Sequence, residues 1–336
     1  MGSHTLGSVR FPANSITLQA RLIAIETDRT DQRGVRRGYQ QRSSSGEVTK
    51  YIVLLFIRLG RRLFYNSPVH RSWIVNVIYS RLFHAAYPPG EILDVECQGH
   101  VFGVPTLDIS ILPRLLDGDY ETYEFELMRS VTKPGWVFAD VGANIGLFTV
   151  VIAATLGPNG HVYSFEPEPA NFAQLEKNVT RNRLGNVTTE QLAIGARPSV
   201  QTMHIKAGSI GTHTLLFGPK TKGEREIQVE VIDLDSYFRH QRWPELVKVD
   251  VEGFEPDVFQ GAHEVFKHCQ YLFFEYARKS METQGFDIDV FAELLGAFPH
   301  LYRIDETAHR LHPFIRTDFT KILYTNIVAA KIPMMA

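Results

Sequence analysis

Between Trp136 and Phe274 short apolar runs alternate with longer helix-like segments, and this alternation limits the possible folds more than any other feature of the chain. After Lys133-Pro134-Gly135, Trp136 to Val141 is an apolar run that ends in a glycine turn, and Ile145 to Leu156 is a helix closed by Gly157-Pro158. His161 to Phe165 reads as a second strand, Pro169 to Leu184 as a second helix closed by Gly185-Asn186, and Val187 to Ile194 as a third strand. Residues 198–232 have the character of a β excursion, with Val229-Glu230-Val231-Ile232 alternating. Leu246 to Val251 and Tyr271 to Phe274 read as buried strands around a helix from Pro256 to His268. Apolar strands separated by helices predict an α/β fold, a mostly parallel sheet with helices on both faces.

The upstream third is different. Residues 1–50, with Gly34, Arg36, Arg37, Gly38 and Ser43-Ser44-Ser45-Gly46, read as a basic arm or linker. Residues 51–118 read as an accessory region of one or two amphipathic helices, interrupted near Asn66-Ser67-Pro68, and then short strands from Ile92. The principal domain is placed at 119–336, opening on a helix in which Tyr120, Tyr123, Leu127 and Val131 keep helical spacing.

Charge divides the chain in the same way. Lys and Arg outnumber Asp and Glu by 13 to 4 in residues 1–90, whereas residues 91–336 carry 22 against 33. No acid lies between Glu47 and Glu91, where Lys50, Arg58, Arg61, Arg62, Arg71 and Arg81 fall among apolar runs. Such a segment packs on the main domain with its cations in solvent, or meets an anionic lipid, glycolipid or partner. Its longest apolar run, Tyr51 to Ile57, is far short of the ~20 residues of a membrane-spanning helix. Cys97 and Cys269 are the only cysteines and stand far apart, which offers neither a disulfide framework nor a zinc motif. A cytoplasmic protein, soluble or peripheral to a membrane, is the expectation.

Chemistry concentrates in the first strand and its loop, Asp140-Val141-Gly142-Ala143-Asn144-Ile145-Gly146. Glycines there let the backbone turn and approach a ligand, and in an open parallel sheet ligands sit at the carboxyl ends of the strands. Glu166 ends the second strand ~20 residues later, where an acid can accept both hydroxyls of a ribose. Asp140 can face a cationic amino group. The loop lacks the third glycine against which a pyrophosphate presses, so a nucleoside fits better than a dinucleotide.

These residues, with Phe165-Glu166-Pro167-Glu168-Pro169, Leu175, Asn178, Ala193, Ile232-Asp233-Leu234-Asp235, Lys248-Val249-Asp250-Val251-Glu252-Gly253-Phe254-Glu255 and Gly261-Ala262, resemble the FkbM family of methyltransferases. Order and spacing agree over about 115–276, including the lead-in Tyr120-Glu121 before Pro134-Gly135. The resemblance implies a Rossmann-like class I methyltransferase fold, S-adenosyl-L-methionine as cofactor, and O-methylation of a sugar or secondary metabolite, as in natural-product biosynthesis. It implies cofactor contacts at Glu121, Asp140, Gly142, Gly146, Glu166, Pro167, Ala193 and Asp250. Asn144 either bonds the cofactor or caps the helix.

Asp250, Glu252 and Glu275 are expected at the same sheet edge as the loop. Three convergent carboxylates must share protons, meet cations or bind substrate hydroxyls. An alkyl hydroxyl attacks poorly while protonated, so Asp250 is taken as general base, with Glu252 and Glu275 orienting the acceptor and His213 as an alternative base. The alternative for Glu252 is to brace the turn through backbone N–H bonds. A magnesium ion on the three acids is the competing, less favoured use. Two rival functions remain open: a binding or scaffold protein that keeps the fold without turnover, and an RNA or nucleotide methyltransferase using the basic upstream segment. Nucleic acid is the weaker of these, since the Asn/Asp-Pro-Pro-Tyr/Phe type of motif is absent.

Overall fold

The computed structural model describes residues 73–205 and 225–334, with side chains from Tyr79 onward. The expected arm at 1–50, the apolar run at 51–57 and His213 lie outside the described residues. Helix α1 (Trp73–Ala86) leads into a hairpin of β1 (Ile92–Cys97) and β2 (His100–Pro105), followed by helices α2 (Leu112–Asp117) and α3 (Thr122–Val131). The alternating region comprises β3 (Val137–Val141), α4 (Leu147–Leu156), β4 (His161–Phe165), α5 (Pro169–Arg181) and β5 (Val187–Glu190). Next come β6 (Ala193–Ile194), β7 (Ser199–Ile205), β8 (Arg225–Ile232), α6 (Leu234–Phe238), β9 (Leu246–Val249), α7 (Glu255–Gln260), α8 (His263–His268) and β10 (Tyr271–Ala277). The chain continues through α9 (Arg278–Thr283), α10 (Ile288–Leu294), β11 (His300–Asp305), β12 (Arg310–Pro313) and β13 (Tyr324–Ala330).

Eight strands form the main sheet in the order β12-β11-β13-β10-β9-β3-β4-β5. Strands β10, β9, β3, β4 and β5 run parallel, and β13 enters antiparallel between β10 and β11. Helices α3, α4 and α5 bury one face, and α6, α7, α8 and α10 the other. This is the α/β, Rossmann-like class I methyltransferase arrangement that the alternation and the resemblance predict. The sheet order reverses between β3 and β9, the position where open parallel sheets bind ligands.

Period-two alternation sorts each strand between the two faces. In β3, Val137, Ala139 and Val141 join the core on one side and Phe138 the core on the other. In β9, Val247 and Val249 point one way and Leu246 the other, which places Lys248 on the α4 face beside Asp140, its register partner. Glu275 follows Tyr271 and Phe273 on that same face, opposite Asn326 of β13. A polar row thus crosses the sheet where the apolar row stops.

The upstream elements share this core. Phe83, Val95, Phe102, Val104 and Leu112 belong to the same buried cluster as Phe125, Phe148 and Leu175. Asn178 fastens the hairpin: its Oδ1 accepts the Gly103 N–H at 2.8 Å, and its Nδ2 donates to the carbonyls of Gly103 at 3.2 Å and Ile145 at 2.8 Å.

Three expectations are corrected. Val187 to Ile194 is two strands in different sheets, since β6 leaves β5 and pairs with β8 in a three-stranded sheet. Pro256 to His268 is two helices broken at Gly261, where an added Cβ would lie 2.2 Å from the Gly195 carbonyl oxygen. Glu275 lies within β10, not at its end, because the pairing with β9 stops at Phe274 while β13 carries the strand on to Ala277. Among the described residues no helix is long and apolar enough to cross a membrane.

Candidate active site

A cavity of ≈ 290 Å³ opens at the carboxyl ends of β3, β4, β9 and β10. On its β3–β4 side the backbone does most of the construction. Gly142 and Asn144 both have positive φ, +82° and +53°. A Cβ on Gly142 would lie 1.9 Å from the Asp250 carbonyl oxygen, so only glycine lets the loops after β3 and β9 close together. Asp250 N–H in turn donates to the Val141 carbonyl at 2.9 Å. Asn144 donates its backbone N–H to Glu166 Oε2 at 2.8 Å, while its own Oδ1 accepts the Ile145 N–H at 2.7 Å.

Glu166 is buried, and its Oε1 accepts the Glu168 N–H at 2.9 Å. Burial pushes its carboxyl up to about 7, against the two N–H bonds that favour the charge. Each oxygen keeps a lone pair for a hydroxyl in the cavity. Pro167, Ala193 and Asn171 line the same side, with Ala193 placed by the pairing of β6 with β8.

The β9–β10 side is built of charge. Lys248 is 6% exposed, donates to Asp250 Oδ2 at 2.7 Å and stands 4.5 Å from the centre of the Phe148 ring. Burial opposes its charge, but Asp250, Glu124, Glu121 and Asp140 outweigh it and hold the ammonium on. Asp140 is buried, accepts the Thr149 hydroxyl at 2.6 Å, and is pushed up to about 6 by burial. Glu124 is buried as well, accepts Asn326 Nδ2 at 2.6 Å and is pushed up to about 8, again by burial. Glu275 lines the cavity and accepts the hydroxyl of Tyr324; burial first, then Asp250, push it up to about 7.

The structure brings together Glu121, Asp140, Gly142, Asn144, Glu166, Pro167, Ala193, Asp250, Glu252 and Glu275 around this one cavity. Gly146 is not among its lining residues; it starts α4 with φ +86° and packs against Leu175, whose Cδ1 would stand 2.5 Å from an added Cβ. Helix packing by itself requires glycine there. The turn after β9 is braced by Glu255, whose Oε1 accepts the N–H groups of Val251 and Gly253, at 3.2 and 3.1 Å. Among the described residues no group of three or more His, Cys, Asp or Glu side chains is arranged to hold a metal ion. The cation that meets Asp250 is Lys248.

Several participants carried no functional assignment at the level of sequence. Lys248 had a signal, an ammonium inside the apolar run Leu246-Val247-Lys248-Val249. Glu124, Glu306 and Asn326 had none, since their partners lie about 180 to 200 positions away.

A Gly-turned strand, a carboxylate at the end of the next strand and acids at the switch point together describe a class I methyltransferase site. The Methyltransferase FkbM domain matches residues 140–316, and the chain belongs to this family. It is 28% identical over 141 residues to Methyltransferase 1 of Beauveria bassiana, covering 36% of this chain and 56% of that protein. It is 39% identical over 71 residues to the 31-O-demethyl-FK506 methyltransferase FkbM of Streptomyces tacrolimicus, covering 21% and 26%. With the hexuronic acid methyltransferase AglP of Haloferax volcanii it shares 25% identity over 185 residues, covering 54% and 72%. The match thus spans about half the length of the first of these relatives and about a quarter of the second.

Proposed function

We propose that the protein is an S-adenosyl-L-methionine-dependent O-methyltransferase acting on a hydroxyl of a sugar, glycolipid or secondary metabolite. The observation that carries this reading is the placement of Glu166 on one wall of the cavity and Asp250 with Glu275 on the other. Relatives named for 31-O-demethyl-FK506 and for hexuronic acid support an oxygen acceptor.

The residues present fit the cofactor. Glu166 has its two oxygens oriented by backbone N–H groups, and its remaining lone pairs would hold the ribose hydroxyls. The acids around Lys248 suit a cationic ligand, because one ammonium does not balance Asp140, Asp250, Glu121 and Glu124. When bound, the sulfonium supplies an electrophilic methyl group.

The acceptor hydroxyl must lose its proton as its oxygen is methylated. Lys248 holds Asp250 Oδ2 and so fixes this carboxylate, whose Oδ1 in this reading orients the acceptor oxygen beside the loop. Glu275 has Oε1 occupied only by the Tyr324 hydroxyl, which leaves Oε2 to take the proton. A carboxyl near 7 is well matched to act as a base at neutral pH. Tyr324 is 65% exposed and carries this dyad to the surface. The base in this reading is therefore Glu275, with Asp250 as the orienting group.

Presentation of a lipid-linked acceptor through the basic residues 50–90 belongs to the same reading, and failure of the protein to float with anionic vesicles would remove that part. The central test is calorimetric titration with S-adenosylhomocysteine. Saturable binding that Glu166→Ala abolishes is expected; no binding, or binding indifferent to that substitution, overturns the assignment. Transfer of labelled methyl groups to a panel of hydroxylated sugars and polyketides then identifies the acceptor.

A further inference from the structure

Tyr324 opens β13 at the mouth of the cavity, where it is fixed at both ends. In β13, Val328 and Ala330 join the core on the α4 face, so period two puts Asn326 and Tyr324 on that face too, with Glu275 of β10 opposite Asn326. The backbone just before it is pinned to the start of α9. Arg278 donates its N–H to the Leu323 carbonyl at 3.0 Å and its guanidinium to the carbonyl of Thr320. At the far end of the side chain the phenol donates to Glu275 Oε1. Tyr324 is nonetheless 65% exposed.

A surface tyrosine ordinarily packs its ring and wets its hydroxyl. Here the hydroxyl turns in to a carboxylate and the ring faces solvent, and among the described residues no cation stacks on it. Burial of the hydroxyl end, then the charges of Glu275 and Asp250, push the phenol up, which keeps it a donor. An exposed ring that has already lost its side-chain freedom is a contact surface with little entropy left to lose. Its face carries the negative part of the ring quadrupole and attracts the weakly positive C–H groups of a saturated ring. Beside it stand two hydroxyl acceptors, Glu275 Oε2 and the Oδ1 of Asp250, whose other oxygen Lys248 holds. One hydroxyl has one proton to donate, so two carboxylates ask for two hydroxyls. A flat apolar face bordered by hydroxyl acceptors is the complement of a sugar ring, which has C–H bonds on its faces and hydroxyls around its edge. A macrocycle with a single hydroxyl would cover the tyrosine but leave one carboxylate desolvated without a donor, a mismatch that sites reject strongly.

We propose that the Tyr324 ring is the platform on which the acceptor stacks, and that this acceptor is a sugar ring with one hydroxyl on Glu275 and a second on Asp250. This rests on the cavity being the methyl-transfer site, and it narrows the acceptor from hydroxyl compounds in general to carbohydrate. The hydroxyl on Glu275 is the one methylated; Asp250 orients it through the hydroxyl beside it. Tyr324 then has two separable parts, a phenol oxygen that acts on Glu275 and a ring that binds the acceptor.

The test follows methyl transfer from labelled S-adenosyl-L-methionine to a panel of methyl hexosides, deoxyhexosides and hexuronosides, with cyclohexanol as a ring that carries a single hydroxyl. Transfer to a glycoside and not to cyclohexanol is expected. Tyr324→Phe and Tyr324→Leu both delete the phenol oxygen and share its effect on kcat, but only Tyr324→Leu deletes the flat face. KM for the best glycoside should therefore rise by about tenfold in Tyr324→Leu and stay within about threefold of wild type in Tyr324→Phe and Tyr324→Trp. Where turnover is too slow for KM, titration of the same glycoside into the S-adenosylhomocysteine complex, followed by NMR, reads the same ratio. Affinity for S-adenosylhomocysteine should stay within about threefold in all three variants, which a collapsed wall would not allow. Equal KM in Tyr324→Leu and Tyr324→Phe would reduce the ring to a stalk for the hydroxyl and overturn the platform. Transfer to cyclohexanol as readily as to glycosides, or to no glycoside of the panel, would overturn it too. These failures leave the methyltransferase reading standing as long as S-adenosylhomocysteine binds; if it does not bind, the site assignment fails and the platform with it.

Discussion

On the β3–β4 side of the cavity, position is set by main chain: two residues at positive φ, a glycine pressed against the Asp250 carbonyl, and a carboxylate oriented by two N–H groups. On the β9–β10 side it is set by side-chain charge drawn from α3, β9, β10 and β13, with Lys248 at its centre. The first half is a rigid mould and the second an electrostatic balance. A mould tolerates little change of shape; a balance of buried charges is upset by the loss of a single partner.

The largest effect that would break this contrast is expected at Glu275. Glu275→Gln keeps size and removes the proton acceptor, and methyl transfer should fall by ~10²–10⁴-fold while S-adenosylhomocysteine affinity stays within about threefold. Asp250→Asn measured in parallel decides between the two carboxylates as base. If Asp250→Asn abolishes transfer and Glu275→Gln leaves it intact, the division of roles is reversed.

Next in size is Lys248→Met. Removing the ammonium leaves the buried Asp140 and Glu124 and the half-buried Asp250 without their cation, and stripping one partner from a largely buried cluster costs ~3–5 kcal/mol. Chemical denaturation should report that loss, and it should shrink at pH 5, where the acids take up protons. A loss below about 1 kcal/mol would mean that Lys248 is not the centre of the balance.

The pH dependence of the unliganded wild-type protein follows from the buried acids on both sides of the cavity and in the turn after β9. Glu121, Glu166 and Glu275 at about 7, and Glu124 and Glu255 at about 8, all lie above the ordinary 4.5 of a glutamate. The folded chain therefore holds more protons than the unfolded one across this window, so their contribution is full below 4.5 and drains as the pH rises through 7 to 8. Lys248 is raised too, and its contribution stays constant until the pH nears the value of an unfolded lysine. Melting temperature should fall by about 5 °C or more between pH 5.5 and 8.5. A flat profile would show that these glutamates do not hold extra protons in the folded chain.

The same contrast explains what was legible before the structure was known. The mould is local in sequence: Asp140 to Gly146 and Glu166 lie within one β-α-β unit, so spacing exposes them. At Gly146 spacing left the packing on Leu175 unseen, because a motif does not show what a glycine lies against. The balance is assembled by topology. Glu124 meets Asn326 only because β13 inserts beside β10, and Glu306 reaches α3 only through the β11–β12 turn, neither of which periodicity encodes. Glu275 was placed at a strand end for the same reason: an antiparallel partner some 50 residues later prolongs β10 past its apolar run.

The smallest expected effect tests the mould itself. Thr149 on α4 is fully buried and spans the two sides, donating to Asp140 Oδ2 at 2.6 Å and lying 2.8 Å from Ser164 Oγ. Thr149→Val keeps the shape and deletes the hydroxyl, which should cost ~1–2 kcal/mol in stability because Asp140 loses a donor in a dry environment. The loop after β3 is held by backbone contacts to Asp250, Phe165 and Glu166, none of which passes through Thr149. S-adenosylhomocysteine affinity should consequently stay within about threefold of wild type, a change under ~1 kcal/mol. A tenfold loss of affinity without a matching loss of stability would show that Asp140, not the main chain, shapes the nucleoside side, and the distinction between mould and balance would no longer hold.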